Sequence, residues 1–399
     1  MRCKKFAKDT KNPRKRILHL QGYFANKIMF DYTISLILLI SYASVAITFL
    51  VLILRFLLPL IIKKESSVSM DNHQEGVSVI IAAKNEAKNL QLHLSFILDQ
   101  DYPTFEVIVA NDHSNDDTIE VLNSFKKNYS NLKILDIQDW HSGGKKDTLT
   151  KAIFHAQYSI LLFIDADCKP VSRNWISEMA NAFEEGIEIV LGYGAYEKES
   201  GLLNAVIRFD TAEVALLSFG FANARMAYMG VGRNLAYRKQ LFINSKGFIS
   251  HLHLPSGDDD LFVQQNARKN NVAFVSNADS KTISIPKRKL SKFWKQKRRH
   301  QSTSAFYKTK FKVLLGLYTL TKFLLYFTWP VAFFTTHTWA IISIFLSSAT
   351  IHFITFNFAT KKIQEQKLSY GTPFYSFIIL LNTLYLGLTS FFIKEKSWK

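Results

Sequence analysis

Residues 33–54 read TISLILLISYASVAITFLVLIL, 22 positions without a charge, and Arg55 is followed at once by FLLPLII. A helix rising 1.5 Å per residue crosses a hydrocarbon core with about 20 such residues, and the run is too long for a signal-peptide core. Three further apolar stretches rich in Leu, Ile and Phe lie at 313–335, 339–358 and 374–393. A chain laid out this way is expected in the membrane at both ends, with the part that folds in water between residues 63 and 312. The stretch 313–335 carries Lys322, a cost of roughly 2.5 to 3.5 kcal/mol in lipid unless the side chain snorkels or faces another helix. It reads as a span or as a re-entrant or interfacial helix. The first block, 33–62, reads as one span or as a hairpin broken at Pro59.

Charge follows the same layout. The formal net charge is +18, but residues 1–28 hold +8 of it and residues 286–312 hold +11, leaving −1 for the rest. Each basic patch ends close to an apolar run. That placement favours an anionic membrane surface and argues against a nucleic-acid partner. Lys361, Lys362 and Lys367 between the last two apolar runs predict a cytoplasmic loop, and two spans earlier a cytoplasmic soluble domain, in a multi-pass protein of the inner cell membrane. The basic leader 1–28 then falls outside, against the positive-inside rule. A natural start at Met29 would remove that conflict. Cys3 and Cys168 are too few and too far apart for a disulfide scaffold or a structural zinc site.

After a polar linker from residue 63, short apolar runs alternate with helix-like segments. Residues 77–83, 105–111, 132–137 and 159–166 are β-branched or continuous apolar runs, the pattern of buried parallel strands. Residues 87–98, 118–129 and 145–156 read as helices, with NDHSNDDT supplying caps to the second. The fold class is therefore a doubly wound, mostly parallel α/β sheet, with ligands expected at the carboxyl ends of its strands.

Four clusters carry chemistry. Asp165 and Asp167 follow the strand SILLFI; two carboxylates on one side of an extended chain can reach one Mg²⁺ or Mn²⁺ together with diphosphate oxygens, or can simply form a solvated turn. Asn111 and Asp112 end another strand, placed to bond a base or ribose or to cap a helix. Asp258, Asp259 and Asp260 open a helix; like charges so close raise one another's pKa, and one of them suits a proton acceptor. The fourth, Trp294-Lys295-Gln296-Lys297-Arg298-Arg299-His300-Gln301, offers planar guanidinium forks to a diphosphate or a basic face to anionic lipid.

In order, these elements resemble the membrane-bound family 2 glycosyltransferases, over about residues 77–301. VSVIIAAKNEAKNL resembles the family's opening nucleotide-binding strand, with Ala83, Asn85 and Glu86 in its usual positions. EVIVANDHSNDDT resembles the strand ending in two acids, Asp112 keeping the second and Asn111 replacing the first. Gly144-Lys145 with Leu149 is similar to a glycine-lysine element, from which Thr148 and Thr150 depart. Asp165 and Asp167 match the metal and diphosphate motif. Aligning Asp260-Leu261 places Asp258 at the general base, with Gly257 where Glu is common. Gln296 and Arg299 match the family's Q-x-x-R-W, with His300 at the Trp position. Gly232, Arg233 and Asn234 fall where the family lines its acceptor pocket, in a segment that also reads as a glycine-rich turn.

The resemblance implies a GT-A fold at about residues 72–285, a basic interfacial helix at 286–312 and three C-terminal spans within 313–393. It implies an inverting transfer from a nucleotide-diphosphate sugar to a membrane-associated lipid or glycan acceptor. Asp258 would be the base, Arg299 and Gln296 would act at the leaving group, and Lys145 would join the donor site. A processive polysaccharide synthase is the alternative enzyme. The departures at Asn111, Gly257 and His300 leave open a membrane-anchored nucleotide-sugar-binding protein without catalysis.

Overall fold

The computed structural model describes residues 13–62, 75–138 and 144–390. The first 12 residues of the basic leader, the polar linker to residue 74 and the end of the last expected span, 391–393, lie outside the described residues. The chain divides into two compact units. One takes residues up to Leu52 with Leu317–His352, and the other takes Ile53–Gly316 with the residues from Phe353 on.

Chain order begins with a long helix, α1 (Pro13–Ile62). Strand and helix then alternate: β1 (Val77–Ala83), α2 (Ala87–Leu98), β2 (Phe105–Asp112), α3 (Thr118–Lys126), β3 (Leu132–Ile137), α4 (Lys145–His155) and β4 (Ile160–Phe163). β1 is buried at every position and β2 at all but Phe105, so both faces of these β-branched runs are covered. Leu90, Leu94, Ile97 and Leu98 recur along one face of α2 and share a core with Val79, Ile81 and Val107. At the start of α3 the cap residue Asp117 makes no side-chain bond; Asp116 before it accepts from the Thr118 amide at 3.2 Å and from the Ala87 amide of α2 at 3.1 Å.

The second half of this unit runs β5 (Cys168–Pro170), α5 (Trp175–Ala180), β6 (Ile189–Leu191), β7 (Gly194–Tyr196), α6 (Leu202–Asn223), β8 (Leu235–Arg238), α7 (Lys239–Asn244), α8 (Asp260–Asn266), β9 (Val272–Phe274) and β10 (Thr282–Ser284). The main sheet has the order β3-β2-β1-β4-β8-β6-β9, and β5-β10-β7 form a small second sheet. β1 pairs in parallel with both β2 and β4, while β8 is antiparallel to β4 and β6. The fold is the expected mostly parallel α/β sheet. Strand order turns back at β1, and the register sets Ala83 beside Asn111 and Ile80 beside Phe163. A crevice therefore opens at the carboxyl ends of β1 and β4, where such sheets take ligands.

Beyond the sheet come α9 (Leu290–Ser304), α10 (Thr309–Thr328), α11 (Thr338–Lys362) and α12 (Thr372–Ser390). Among the described residues, four helices are long and apolar enough to cross a membrane: Gln21–Ile62, Thr309–Phe334, Thr338–Lys362 and Lys367–Thr389. The hairpin at Pro59 is not formed, because α1 continues through it to Ile62. Proline removes its own backbone donor, and so near a helix end it costs little and reverses nothing. Within the first unit Lys322 is only 2% exposed and lies 5.7 Å from the Tyr318 ring, so it faces protein instead of lipid. The same unit packs Phe49 against Tyr318 and His352, and the Tyr42 hydroxyl donates to the Leu325 carbonyl at 2.9 Å.

Within the second unit the basic helix α9 is fixed to α12. The Trp294 indole donates to Asn382 at 2.8 Å and its ring lies 4.2 Å from that of Tyr385. Glu365, between α11 and α12, forms a buried ion pair with Arg208 of α6. That pair docks the α11–α12 loop on the sheet domain.

Candidate active site

The chain leaves β4 at Phe163 and turns, with the Cys168 amide donating to the Asp165 carbonyl at 3.0 Å. Asp165 and Asp167 thus meet through a turn, and the two-residue period of an extended strand is not what aligns them. A carboxylate oxygen from each lies within 4.8 Å of the other and of the Cys168 sulfur. Burial pushes the Cys168 thiol well up, and Asp167 and Asp165 add to the effect, so the sulfur stays protonated. Two carboxylates remain as donors. That set fits a hard ion such as Mg²⁺ or Mn²⁺, which fills its other positions with phosphate oxygens and water.

Lys145, the first residue of α4, ties this turn to the acidic triplet. Its Nζ lies 3.0 Å from Asp165 Oδ1 and 2.9 Å from Asp258 Oδ2. Burial opposes the charge on Lys145, but Asp165, Asp258 and Asp259 outweigh it and hold the ammonium above its ordinary pKa. For Asp165 burial likewise works against ionisation; Lys145, with Arg233 and Arg299, holds the carboxyl below the usual range.

The three acids separate in use. Asp258 faces Lys145. Asp259 caps α8, accepting from the Asp260 amide at 2.8 Å through Oδ1 and from the Gly232 amide at 2.8 Å through Oδ2. Asp260 turns inward to the Thr303 hydroxyl and to the Tyr307 hydroxyl at 2.8 Å. Burial, with Asp258 and Asp260 alongside, pushes Asp259 up to about 7. A carboxyl raised in the fold contributes stability that is fully present below its unfolded pKa and lost as pH rises through the folded value. Asp259→Asn should therefore gain in thermal midpoint over the wild type as pH rises from about 4 to about 7, and hold that gain above it. Parallel pH profiles for the two proteins would show that Asp259 does not titrate in this window.

Gly257 stands where the resembled family commonly has Glu, and the backbone supplies the reason. Its φ is +102°, and a Cβ there would lie 2.7 Å from Leu261 Cδ1. A glutamate there would be strained by the positive φ and would have to push the Leu261 side chain aside.

Two cavities meet at Lys145. The larger, of about 510 Å³, is lined by Glu86, Asp167, Lys287, Lys292 and Lys295 among others; the smaller, of about 330 Å³, takes in Gly232, Asp258, His300 and an apolar wall from α6. Lys145, Asp165, Tyr196, Arg233, Gln296 and Arg299 line both. The Arg233 guanidinium lies 4.2 Å from the Tyr196 ring centre, and Gln296 donates to the Tyr196 hydroxyl at 2.9 Å. Arginine, aromatic ring and amide thus form one partition wall.

The other residues singled out in the sequence do not line these two cavities. Ala83 is fully buried at the end of β1. Asn85, at φ +55°, accepts from the Asn115 amide at 2.8 Å. Asn111 donates to Asp136 at 2.8 Å and accepts from Ser114, while buried Asp112 meets Lys84 at 3.3 Å and His113 at 2.8 Å. The side chain of Asn234, read from the sequence as an acceptor contact, is fully buried: it accepts from Trp175 at 3.1 Å and donates to the Tyr193 and Ser280 carbonyls. Its amide is used inside the fold, and Arg233 alone of the pair reaches the cavities.

Sequence reasoning missed Tyr196, Lys146 and the glycines of LGYGAY. A Cβ on Gly192 or Gly194 would come within 2.5 Å of the Asn234 or Arg233 side chain, so the G-x-G spacing marks where these two side chains pass.

Residues 78–242 match the model of the family described as Glycosyl transferase family 2. The chain is 38% identical over 93 residues to the poly-beta-1,6-N-acetyl-D-glucosamine synthase of Staphylococcus epidermidis, covering 23% of this chain and 22% of the synthase. It is 32% identical over 170 residues to glycosyltransferase AglE of Haloferax volcanii, covering 42% of this chain and 52% of AglE. The matches thus span about half or less of these relatives. Among solved structures, the mannosyltransferase PcManGT of Pyrobaculum calidifontis, in complex with GDP-Man and Mn²⁺, superposes with a TM-score of 0.53 at 17% identity, covering 89% of this chain and all of that one.

Proposed function

The chain carries a family 2 glycosyl transferase domain with the GT-A fold, and from that premise we propose that it transfers a sugar from a nucleotide-diphosphate sugar, with inversion, to a lipid or glycan acceptor at the membrane. One observation carries the reading. A single ammonium, Lys145, joins Asp165, which lines both cavities, to Asp258 at the smaller, so a donor and an acceptor held there would meet at one point.

Asp258 takes the proton from an acceptor hydroxyl in the smaller cavity. The freed oxygen attacks the anomeric carbon opposite the diphosphate, forming one C–O bond as the other breaks, which inverts the carbon. Arg233 and Arg299, shared by the two cavities, stand where the departing diphosphate gains charge. Asp165 and Asp167 would hold Mg²⁺ or Mn²⁺, which when bound neutralises part of that charge. Gln296 keeps Tyr196 under Arg233, while Glu86 and Lys145 serve the donor side and Gly232 and His300 the acceptor side. Asn85, Asn111 and Asp112, at and just past the carboxyl ends of β1 and β2, serve the nucleotide end of the crevice.

The acceptor arrives from the bilayer. The basic helix α9 is held on α12, one of the apolar helices, through Trp294, which suits a lipid-linked substrate. The domain is cytoplasmic: the loop docked through Glu365 carries Lys361, Lys362 and Lys367 at its ends. A membrane-impermeant thiol reagent should leave Tyr370→Cys, in a Cys3→Ser background, unlabelled in intact cells; prompt labelling would reverse the orientation.

The test of function is a screen of radiolabelled nucleotide sugars, with divalent cation, against total membrane lipids. Label should become lipid-extractable for one donor. Binding of a donor with no transfer to any acceptor would instead leave the protein a nucleotide-sugar-binding anchor. The likeness to a polymer synthase over 93 residues favours one second reading, a processive enzyme. A ladder of products in place of one added sugar would select it.

A further inference from the structure

The residue beside the bridging lysine is also a lysine, and it points elsewhere. Lys146 is 3% exposed, and its Nζ donates to two backbone carbonyls, those of His251 and of Leu254, the latter at 2.8 Å. Both belong to the turn that precedes Asp258. That turn begins at the 3₁₀ segment Ile249–His251, under which Phe248 packs on Phe242 and Phe262. It ends at Gly257, whose positive φ delivers the chain into α8. Between Leu254 and Asp258 there are only three residues, so little slack separates the anchored carbonyl from the carboxylate.

Resting on the transferase reading, we propose that Lys146 is a positioning residue: it holds the loop before Asp258 from one end while Lys145 holds Asp258 itself, so that one helical turn sets the distance between proton acceptor and donor. Adjacent residues at a helix start diverge by about 100°, which lets the two ammonium groups reach opposite ends of the same loop. Buried, Lys146 has no route to the diphosphate and lines none of the cavities described above. A lysine is suited to this task because its three donors on a compact head can serve converging carbonyls.

Replacing Lys146 by Met keeps an unbranched side chain one atom shorter and removes its donors. The K146M protein should bind the nucleotide sugar within about twofold of wild type while kcat falls about 10- to 100-fold, the usual effect of a small displacement of a reacting group. K146Q, which keeps a donor for one carbonyl, should fall between the two and carries the same test if K146M does not fold. Unchanged kcat in a wild-type-competent assay would overturn the proposal. So would a parallel loss of donor affinity and kcat in folded K146M, since that would place Lys146 at the nucleotide. Absence of transfer by the wild type with every donor and acceptor would instead be a failure of the transferase reading itself.

Discussion

Replacing Asp258 by Asn lowers turnover by about 10² to 10⁴-fold while the affinity for the nucleotide sugar stays nearly unchanged. The size follows from what general-base catalysis supplies. An amide of the same shape keeps the contact with Lys145 but cannot take a proton. Location decides the rest: Asp258 lines the smaller cavity together with Gly232 and His300 and is absent from the larger, where Asp167, Lys292 and Lys295 stand. Turnover and donor affinity should therefore come apart. Single-turnover transfer and a nucleotide titration on one preparation measure both. Full activity in Asp258→Asn would reject the assignment, and the same experiment on Asp259→Asn decides between neighbours. Asp259 is spent on the Gly232 amide and the start of α8, and its substitution should act more on stability than on turnover.

Removing divalent cation, or replacing Asp167 by Asn, should cost at least about 10² in turnover, the scale of losing one preorganised charge at a leaving group. In this case donor affinity should fall as well. Without a cation between them, Asp165 and Asp167 repel a diphosphate that Lys145, Arg233 and Arg299 attract. Nucleotide titrations with Mn²⁺, with Mg²⁺ and with chelator read the effect directly. Activity and affinity that ignore the chelator would mean that the lysines and arginines of the larger cavity neutralise the diphosphate by themselves.

Legibility in the sequence followed the range of the interaction. The strands β1 to β4 could be read because each is a local apolar run bounded by turn residues, and α2 because Leu90, Leu94 and Ile97 repeat at helical spacing. Ends were misjudged: α3 stops at Lys126 and not at 129, and at the end of β4 an apolar Ile164 continues the pattern but the chain already turns toward Asp165. The acids and the basic helix were found as clusters, since like residues adjacent in sequence need no fold to be noticed. What each cluster member does was not legible. Asp258, Asp259 and Asp260 are alike on paper, yet one meets an ammonium, one caps a helix and one accepts from Thr303 and Tyr307, some 40 residues away. Asn234 seemed an acceptor contact until the fold turned its amide toward Trp175.

By itself the sequence determined the layout: a strand-and-helix domain between apolar helices, with carboxylates at strand ends and a basic helix next to an apolar run, because hydrophobic periodicity and charge clustering are properties of neighbouring residues. Only the tertiary structure decided that Asp165 and Asp258, 93 positions apart, share one lysine, that Gly257 sits at a positive φ that strains any other residue, and that Lys146 donates to a loop. The direction of a side chain at a helix start is set by which distant segment packs over it, and sheet order and crossovers supply that segment.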